Sequence, residues 1–464
     1  MSAHFTAADV VAAIRGALLQ GSPAAAFLGV STDSRTCQSG QLYVALKGER
    51  HDGHDYLGKA LERGARGLLV EDRPQFRRQA WDGRVAVIAA PCTLAALGDL
   101  ARAWRSRFSL PLAAVTGSCG KTTAKEMTAR VLSRNFRVLK NELNLNNLIG
   151  LPQTLFQLDA GYDAAVVEMG MNRFGEIRRL TEICRPTVGV LLNVYAAHTE
   201  GVGDVAGVAR AKGELIRALE PGAALVYNAD DHRVARQAQD FTGTAVGFGF
   251  GPQADLRASD REPRGRAGQT FRLHWRGASW SLTLQVPGLH QVYNALAATA
   301  VGLLLGVAPE AVAAQLADFR AIVRRSQVAA LTNGVHLLND CYNANPGSMA
   351  MALQTLTELR DDGRAVAALG DMLELGAGAV KAHRELGRLA ARAGLDYLVV
   401  YGNFREEVAA GAREGGLPAA RIHPVESHDQ GALALREFLQ PGDWLLVKGS
   451  RSMRMERLLE ALED

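Results

Sequence analysis

The sequence predicts an α/β fold divided into three units, and three observations carry that prediction. Short apolar runs without polar alternation, at 112–116, 164–168 and 188–194, recur between helical patterns. Strands of that kind belong to parallel sheets covered on both faces. The run at 112–116 breaks into Gly117-Ser118-Cys119-Gly120-Lys121-Thr122-Thr123, giving a strand, a tight glycine loop and a helix start in immediate succession. Finally, 464 residues are more than one core covers, since single cores stop growing near ~250–300 residues.

Residues 1–20 read as an amphipathic helix with Asp9 inside its apolar stretch, which is not the pattern of a secretion signal. The first unit is expected over 1–90, with strands near 42–46, 67–70 and 85–88. It carries two polar stretches, 31–35 (STDSR) and 47–55 (KGERHDGHD), which by themselves read as solvated turns. The second unit spans 91–318. Its entry helix, 91–108, places Leu94, Leu97, Leu100, Ala101, Trp104 and Phe108 at helical spacing.

Strands follow at 112–116, 164–168, 188–194 and 224–228. Between 270 and 286 the pattern changes to strict alternation around Gly277, an antiparallel hairpin added to the parallel sheet. Residues 257–266 read as a loop, and 293–305 and 308–318 as helices. The third unit, 319–464, repeats strand and helix with strands at 335–339, 365–369, 398–401 and 444–447, a smaller doubly wound, Rossmann-like domain.

Composition narrows the function. Forty-eight per cent apolar and 22% charged residues with a net charge of +4 describe a globular protein rather than a nucleic-acid binder. Five scattered cysteines without a CxxC pair argue for a reducing compartment, and no apolar run reaches the length of a membrane span. A cytoplasmic protein without membrane insertion is expected.

The loop at 117–123 is a phosphate cradle (P-loop). Its backbone N–H groups and the positive end of the following helix converge on one point. Lys121 adds a charge for the outer phosphates, and Thr122 a hydroxyl for the accompanying magnesium. The spacing Gly117-x-x-Gly120-Lys121-Thr122 is two residues tighter than the common motif. Ligands of parallel sheets sit beyond the carboxyl ends of the strands. There Glu168 closes one strand, as a fit magnesium ligand, and His198 follows another.

Lys212 on its own reads as a surface lysine lying along its helix. His290 and Asn294 lie four apart on one side of a helix entry. In the third unit the strand-end loops 339–348, 370–376 and 448–452 form one polar face, where Lys448 and Arg451 suit a carboxylate or phosphate.

Over nearly its whole length the chain resembles the Mur ligases of peptidoglycan synthesis. The residues that carry the likeness are TGSCGKTT at 116–123, NLNN at 144–147, EMG at 168–170, AHTEG at 197–201, AKGE at 211–214, GLHQVYNALAA at 288–298 and DCYNANPGS at 340–348. NANPGSM and GDMLELG point to the branch that joins D-alanyl-D-alanine to UDP-N-acetylmuramoyl-tripeptide, and the DNPR motif of the branch adding the third amino acid is absent.

The resemblance implies one unit for the UDP-sugar, one for ATP, and a last one that takes the dipeptide and closes over both. It also implies an ATP-dependent, ADP-forming ligase acting as a monomer through an acyl phosphate. Ser31, Asp33, Ser34, Arg35 and Lys47 would then hold the UDP-linked substrate. Gly117, Ser118, Cys119, Gly120, Lys121, Thr122 and Thr123 would hold ATP, together with His290, Asn294, Arg325 and Asp340. Thr122, Glu168 and His198 would stand on the magnesium side, joined by Lys212 as a carbamate. Lys121, Glu168, His198 and Lys212 would thus form the catalytic set. Asn144, Asn146 and Asn147 would line the path to the peptide carboxylate, and Asn343, Asn345, Lys448 and Arg451 would meet substrate.

The family usually places glycine before its phosphate-binding linker arginine, and here Arg324 stands there, leaving Arg325 as the contact. A Mur-type or folylpolyglutamate-type ligase with another amino-acid acceptor is the alternative. Cys119, at a helix N-terminus beside a lysine, is expected to have a lowered pKa.

Overall fold

The computed structural model describes residues 3–79, 81–360 and 363–463. Three sheets carry the architecture, beside a small ribbon of His4–Thr6 against Ala26–Leu28. The expected single N-terminal helix is shorter and is followed by a strand. Thr6 and Asp9 form a capping box that starts the helix Ala7–Ile14, and Arg15 at φ +51° ends it. Gly16 passes so close to the Ala89 carbonyl that a Cβ would lie 2.6 Å from it, and Ala17–Gln20 turns back as a strand. The first sheet runs in the order Ala17–Gln20, Ala86–Ala90, Gly67–Glu71, Leu42–Val44, Val30–Ser31, parallel except for the first strand.

The central sheet has nine strands. Val138–Lys140, Ala164–Glu168, Leu112–Thr116, Val188–Leu191, Ala224–Asn228 and Thr244–Gly249 lie parallel in that order. Leu112–Thr116 alternates between two cores, with Leu112 and Ala114 facing one and Ala113 and Val115 the other, as a doubly covered strand must. The sheet then continues into Leu256–Pro263, Gln269–Trp275 and Ala278–Leu284.

The expected hairpin is therefore the outer part of a three-stranded antiparallel extension, closed by Arg276 and Gly277 at φ +49° and +83°. Residues 257–266, expected to be a loop, hold most of the extra strand. A bulge between Ser259 and Glu262, with Asp260 at φ +51°, breaks the two-residue alternation that would have revealed it.

The third sheet orders Gln327–Ala330, His336–Asn339, Trp444–Lys448, Ala365–Gly370, Tyr397–Tyr401 and Ile422–Val425, parallel except for its first strand. One apolar core runs from Phe27 of the ribbon and Ile88 of the first sheet through Leu97, Leu100 and Trp104 of the helix Thr93–Arg105 to Leu112 and Val167 of the central sheet. The first two units are thus welded by hydrophobic burial. The third has two cores of its own around Leu369 and Val366. Among the described residues no helix is long and apolar enough to cross a membrane.

Candidate active site

The cradle follows a central strand whose two neighbours also end beside it, Ala164–Glu168 on one side and Val188–Leu191 on the other. Gly120 takes φ +82° at the start of the helix Lys121–Leu132. A Cβ there would lie 3.1 Å from Cγ and 3.2 Å from Nδ2 of Asn294, so the loop needs glycine for both shape and space. Lys121 Nζ donates to the Gly117 carbonyl at 2.9 Å.

Two N–H groups expected to face phosphate are engaged otherwise. Ser118 N–H donates to the Asn193 carbonyl at 3.1 Å, and Cys119 N–H to Asn193 Oδ1 at 2.8 Å. Asn193 Nδ2 returns a bond to the Cys119 carbonyl at 3.1 Å. The donors left for an anion are those of the first helical turn, which has no intrahelical acceptors. Asn193 escaped the sequence reading, and its only signal was an amide closing an apolar strand.

Glu168 is 3% exposed. Thr122 Oγ1 donates to its Oε2 at 2.6 Å, and Asn146 Nδ2 to its Oε1 at 2.7 Å. Its backbone is held by Asn141, also missed by the sequence reading, which accepts from Glu168 N–H at 2.8 Å and donates to the Glu168 carbonyl at 3.1 Å. The same amide donates to the Leu145 carbonyl, fixing the asparagine-rich loop to the strand end. Lys212 is 1% exposed; burial, with the charge of Lys121 second, pushes its amine well below the ordinary lysine range. The sequence reading of Lys212 alone as a surface lysine is thereby corrected.

A cavity of about 350 Å³ gathers most of the expected residues. Ser118 to Thr123, Asn144, Asn146, Asn147, Glu168, His198, His290 and Asn294 line it from the central unit. Arg325, Asp340, Asn343, Asn345, Lys448 and Arg451 line it from the third. Arg325 stacks 3.9 Å over the Tyr342 ring, whereas Arg324, at φ +62°, bonds Glu456 at 3.0 Å. The left-handed backbone explains why glycine suits position 324, and the register favours Arg325 as the cation on the cavity. His290 Nε2 meets Ser326 Oγ at 3.1 Å, and burial lowers its pKa to about 4, so the imidazole is neutral. Asn147 Oδ1 accepts from the Ile149 and Gly150 N–H groups.

The third unit contributes two of its three polar loops to the cavity. Lys448 Nζ lies 2.5 Å from Asp340 Oδ2 and donates to the Asn343 carbonyl at 2.8 Å. Arg451 bonds Glu456 at 2.6 Å. The loop 370–376 goes elsewhere: it docks on the central unit, with Glu374 Oε2 2.5 Å from His198 Nδ1 and Thr199 Oγ1 donating to the Leu375 carbonyl at 3.0 Å. His198 and Glu374 are both left-handed, at φ +57° and +62°.

Cys119 contradicts its expectation. Burial raises the thiol pKa, and its Sγ bonds Asn345 Oδ1 at 3.2 Å. Proximity to Lys121 does not offset lost hydration.

The first-unit loops stand apart, and among the described residues lining the cavity none comes from them. Asp33 accepts from Arg35 Nε at 3.0 Å and from its Nη2 at 2.7 Å, and Ser31 Oγ donates to the Asp33 carbonyl. Ser34 is buried, and the backbones of Lys47 and Asp52 pair as an isolated antiparallel bridge. Thr32 Oγ1 accepts from Gln153 of the central unit at 2.7 Å.

Known proteins agree with this layout. Residues 26–105 match the model of the Mur ligase family catalytic domain, 115–302 that of the Mur ligase middle domain, and 324–451 that of the Mur ligase glutamate ligase domain. The UDP-N-acetylmuramoyl-tripeptide–D-alanyl-D-alanine ligase of Escherichia coli strain K12 is 37% identical over 442 residues, 94% of this chain and 93% of that one. A crystal structure of MurF from Acinetobacter baumannii superposes with a TM-score of 0.91 at 31% identity, covering 100% of this chain and 99% of the other. MurF from Thermotoga maritima in complex with ADP gives 0.83 at 28% identity, covering 94% and 96%. With a matched model on each of its three sheets and relatives matched from end to end, the chain belongs to the Mur ligase family.

Proposed function

We propose that this chain joins D-alanyl-D-alanine to UDP-N-acetylmuramoyl-tripeptide with conversion of ATP to ADP and phosphate. The observation that carries the reading is the single cavity in which the cradle and Glu168 face Arg325, Asn343 and Lys448 of the third unit. The end-to-end likeness to a ligase of that name supports the substrates.

The terminal carboxylate of the tripeptide attacks the γ-phosphorus, the bond to the β-phosphate oxygen breaks, and ADP departs. The dipeptide amine then attacks the acyl carbon and phosphate leaves with the former acyl oxygen. Two anions approach in the first step, so charge neutralisation and positioning supply most of the acceleration. Lys121 turns from the Gly117 carbonyl to the outer phosphates, and the first-turn N–H groups receive them. Arg325 faces the same space, and neutral His290 and Asn294 line the nucleotide side. The 31–35 loop and Lys47 hold the UDP-linked substrate, and Asn144 lines the path between the two.

The donor set fits magnesium, which takes one or two carboxylates and completes its shell with phosphate and water oxygens. Thr122 and Glu168 offer such oxygens, with His198 on the same wall. When bound, the ion neutralises phosphate charge. A neutral, buried Lys212 is suited to become a carbamate: its lone pair attacks the carbon of CO2, an N–H proton leaves to solvent, and the neutral amine becomes an anionic carbamate. Carbon-13 bicarbonate should give a carbamate resonance in the protein that is lost in Lys212→Met.

The units act as 1–90, 91–318 and 319–464 within a monomer of the cytoplasm. Phosphate release should require both substrates. Release supported by meso-diaminopimelate or lysine, and not by D-alanyl-D-alanine, overturns the assignment.

A further inference from the structure

The contact between the cradle and the third unit rests on residues outside the chemistry just described. Ser118 Oγ accepts from Tyr195 N–H at 2.9 Å and donates to the Tyr195 carbonyl at 3.1 Å, so Tyr195 is part of the cradle's frame. The Tyr195 ring lies against Gly347 of the third unit, where a Cβ would fall 2.7 Å from its Cδ2 and 2.8 Å from its Cβ. Beside it, Asn345 closes the circuit. Its Oδ1 accepts from Ser348 N–H at 2.9 Å, capping the helix Pro346–Leu359, and also takes the Cys119 thiol. Its Nδ2 donates to the Ser118 carbonyl at 3.3 Å.

Gly347 has no left-handed backbone to justify glycine, and as the second residue of a helix it would be better served by alanine on propensity alone. What it lacks is a side chain, at the one place where the helix start meets a ring. Asn345, expected to touch substrate, lines the cavity and is also bonded to its own helix and to the cradle.

We propose that Gly347 and Tyr195 are a positioning pair. The bare Cα of Gly347 against the Tyr195 ring sets how deeply the third unit seats on the cradle, and Asn345 then locks that depth through Ser118 and Cys119. Lys448, Asn343 and Arg325 reach the phosphate side only at that depth. A Cβ at 347 holds the unit off by the ångström or so needed to relieve the overlap, and misplacement on that scale costs on the order of 100-fold in rate.

This inference rests on the ligase reading above, so the experiment separates the two. A double-mutant cycle compares Gly347→Ala in the wild-type and Tyr195→Ala backgrounds, reading kcat for ligation, the ATP KM and the melting temperature. Expected is at least a tenfold fall in kcat for Gly347→Ala with melting unchanged or raised, shrinking to less than twofold when Tyr195 is already alanine. Crystal structures should show the third unit displaced from the Tyr195 backbone in Gly347→Ala and seated again in the double variant. An equal loss in both backgrounds, or no loss in either, overturns the pairing. A wild-type chain that releases no phosphate with its two substrates overturns the ligase reading, and the crystal structures of the cycle still decide the seating.

Discussion

Lys125 and Lys212 sit in the same unit, and each is 1% exposed, yet their surroundings are opposite. Lys125 has acceptors: its Nζ lies 2.5 Å from the Asn141 carbonyl and 3.1 Å from Glu126 Oε1. Lys212 lies near a like charge, Lys121, and burial pushes it toward the neutral amine. Burial alone therefore does not say what a lysine is for. Given acceptors, a buried ammonium keeps its charge; beside another cation, burial drives the amine toward its neutral form.

The sharpest way to break that contrast is to remove each amine. Lys212→Met should lower ligase activity by about 1,000-fold, the scale of losing a main electrostatic group, while the melting temperature holds or rises. A small carboxylate such as formate should return part of the activity in Lys212→Ala. Near-wild-type turnover would put Lys212 back among structural residues.

Lys125→Met should do the reverse. Leaving the Asn141 carbonyl without its charged donor should reduce unfolding free energy by about 2 kcal/mol in urea titrations, with a smaller change in kcat. An unchanged midpoint would show that Lys140, which also pairs with Glu126, carries the clamp.

His290 extends the contrast to a third base, whose buried Nδ1 has no hydrogen-bond partner among the described residues. Its folded pKa of about 4 lies below the ordinary value of about 6.5. Between those two values the unfolded chain binds a proton that the folded chain refuses, so stability falls as pH falls through that window. The loss should be on the order of 3 kcal/mol, and His290→Gln should flatten the curve. Parallel curves for the two proteins would mean that His290 protonates freely in the folded state.

Asn141→Ala tests whether the Lys125 clamp reaches the chemistry. Glu168 would keep Thr122 and Asn146 but lose its backbone ties, and the magnesium needed for half-maximal rate should rise about tenfold. An unchanged magnesium dependence would confine Asn141 to folding. The smallest effect belongs to Arg324→Gly. Relief of the φ +62° backbone and loss of the Glu456 pair should offset to within about 0.5 kcal/mol, read from the same urea titrations.

What could be read from the sequence follows the range of the interactions involved. The cradle, the strands beside it and the doubly wound third sheet announce themselves because each is written in neighbouring residues: an apolar run, two glycines, a lysine. The strand Leu256–Pro263 does not, since its bulge shifts the alternation by one residue. The lowered thiol expected for Cys119 failed because burial, which the neighbouring residues do not show, outweighs both Lys121, two positions away, and the bond to Asn345, 226 positions away. For the same reason Asn193 and Asn141 were invisible as clamps: an amide's partners are backbone groups, which every residue has. Lys212 stands between these cases. Its neighbours in sequence describe a surface lysine, and only the fold puts it next to Lys121.

The division of one cavity between units distant in the chain has a consequence for the making of the protein. Ribosomes add about 5–20 residues per second, so Asn345 emerges on the order of ten to forty seconds after Cys119. Lys448 comes later still. Once Asn193, His290 and Asn294 have emerged, the nascent polypeptide can present a finished nucleotide loop while the third-unit residues that act with it have not been translated. Completion of synthesis thus doubles as the safety on the active site, and a prematurely terminated product would hold nucleotide without joining anything to anything.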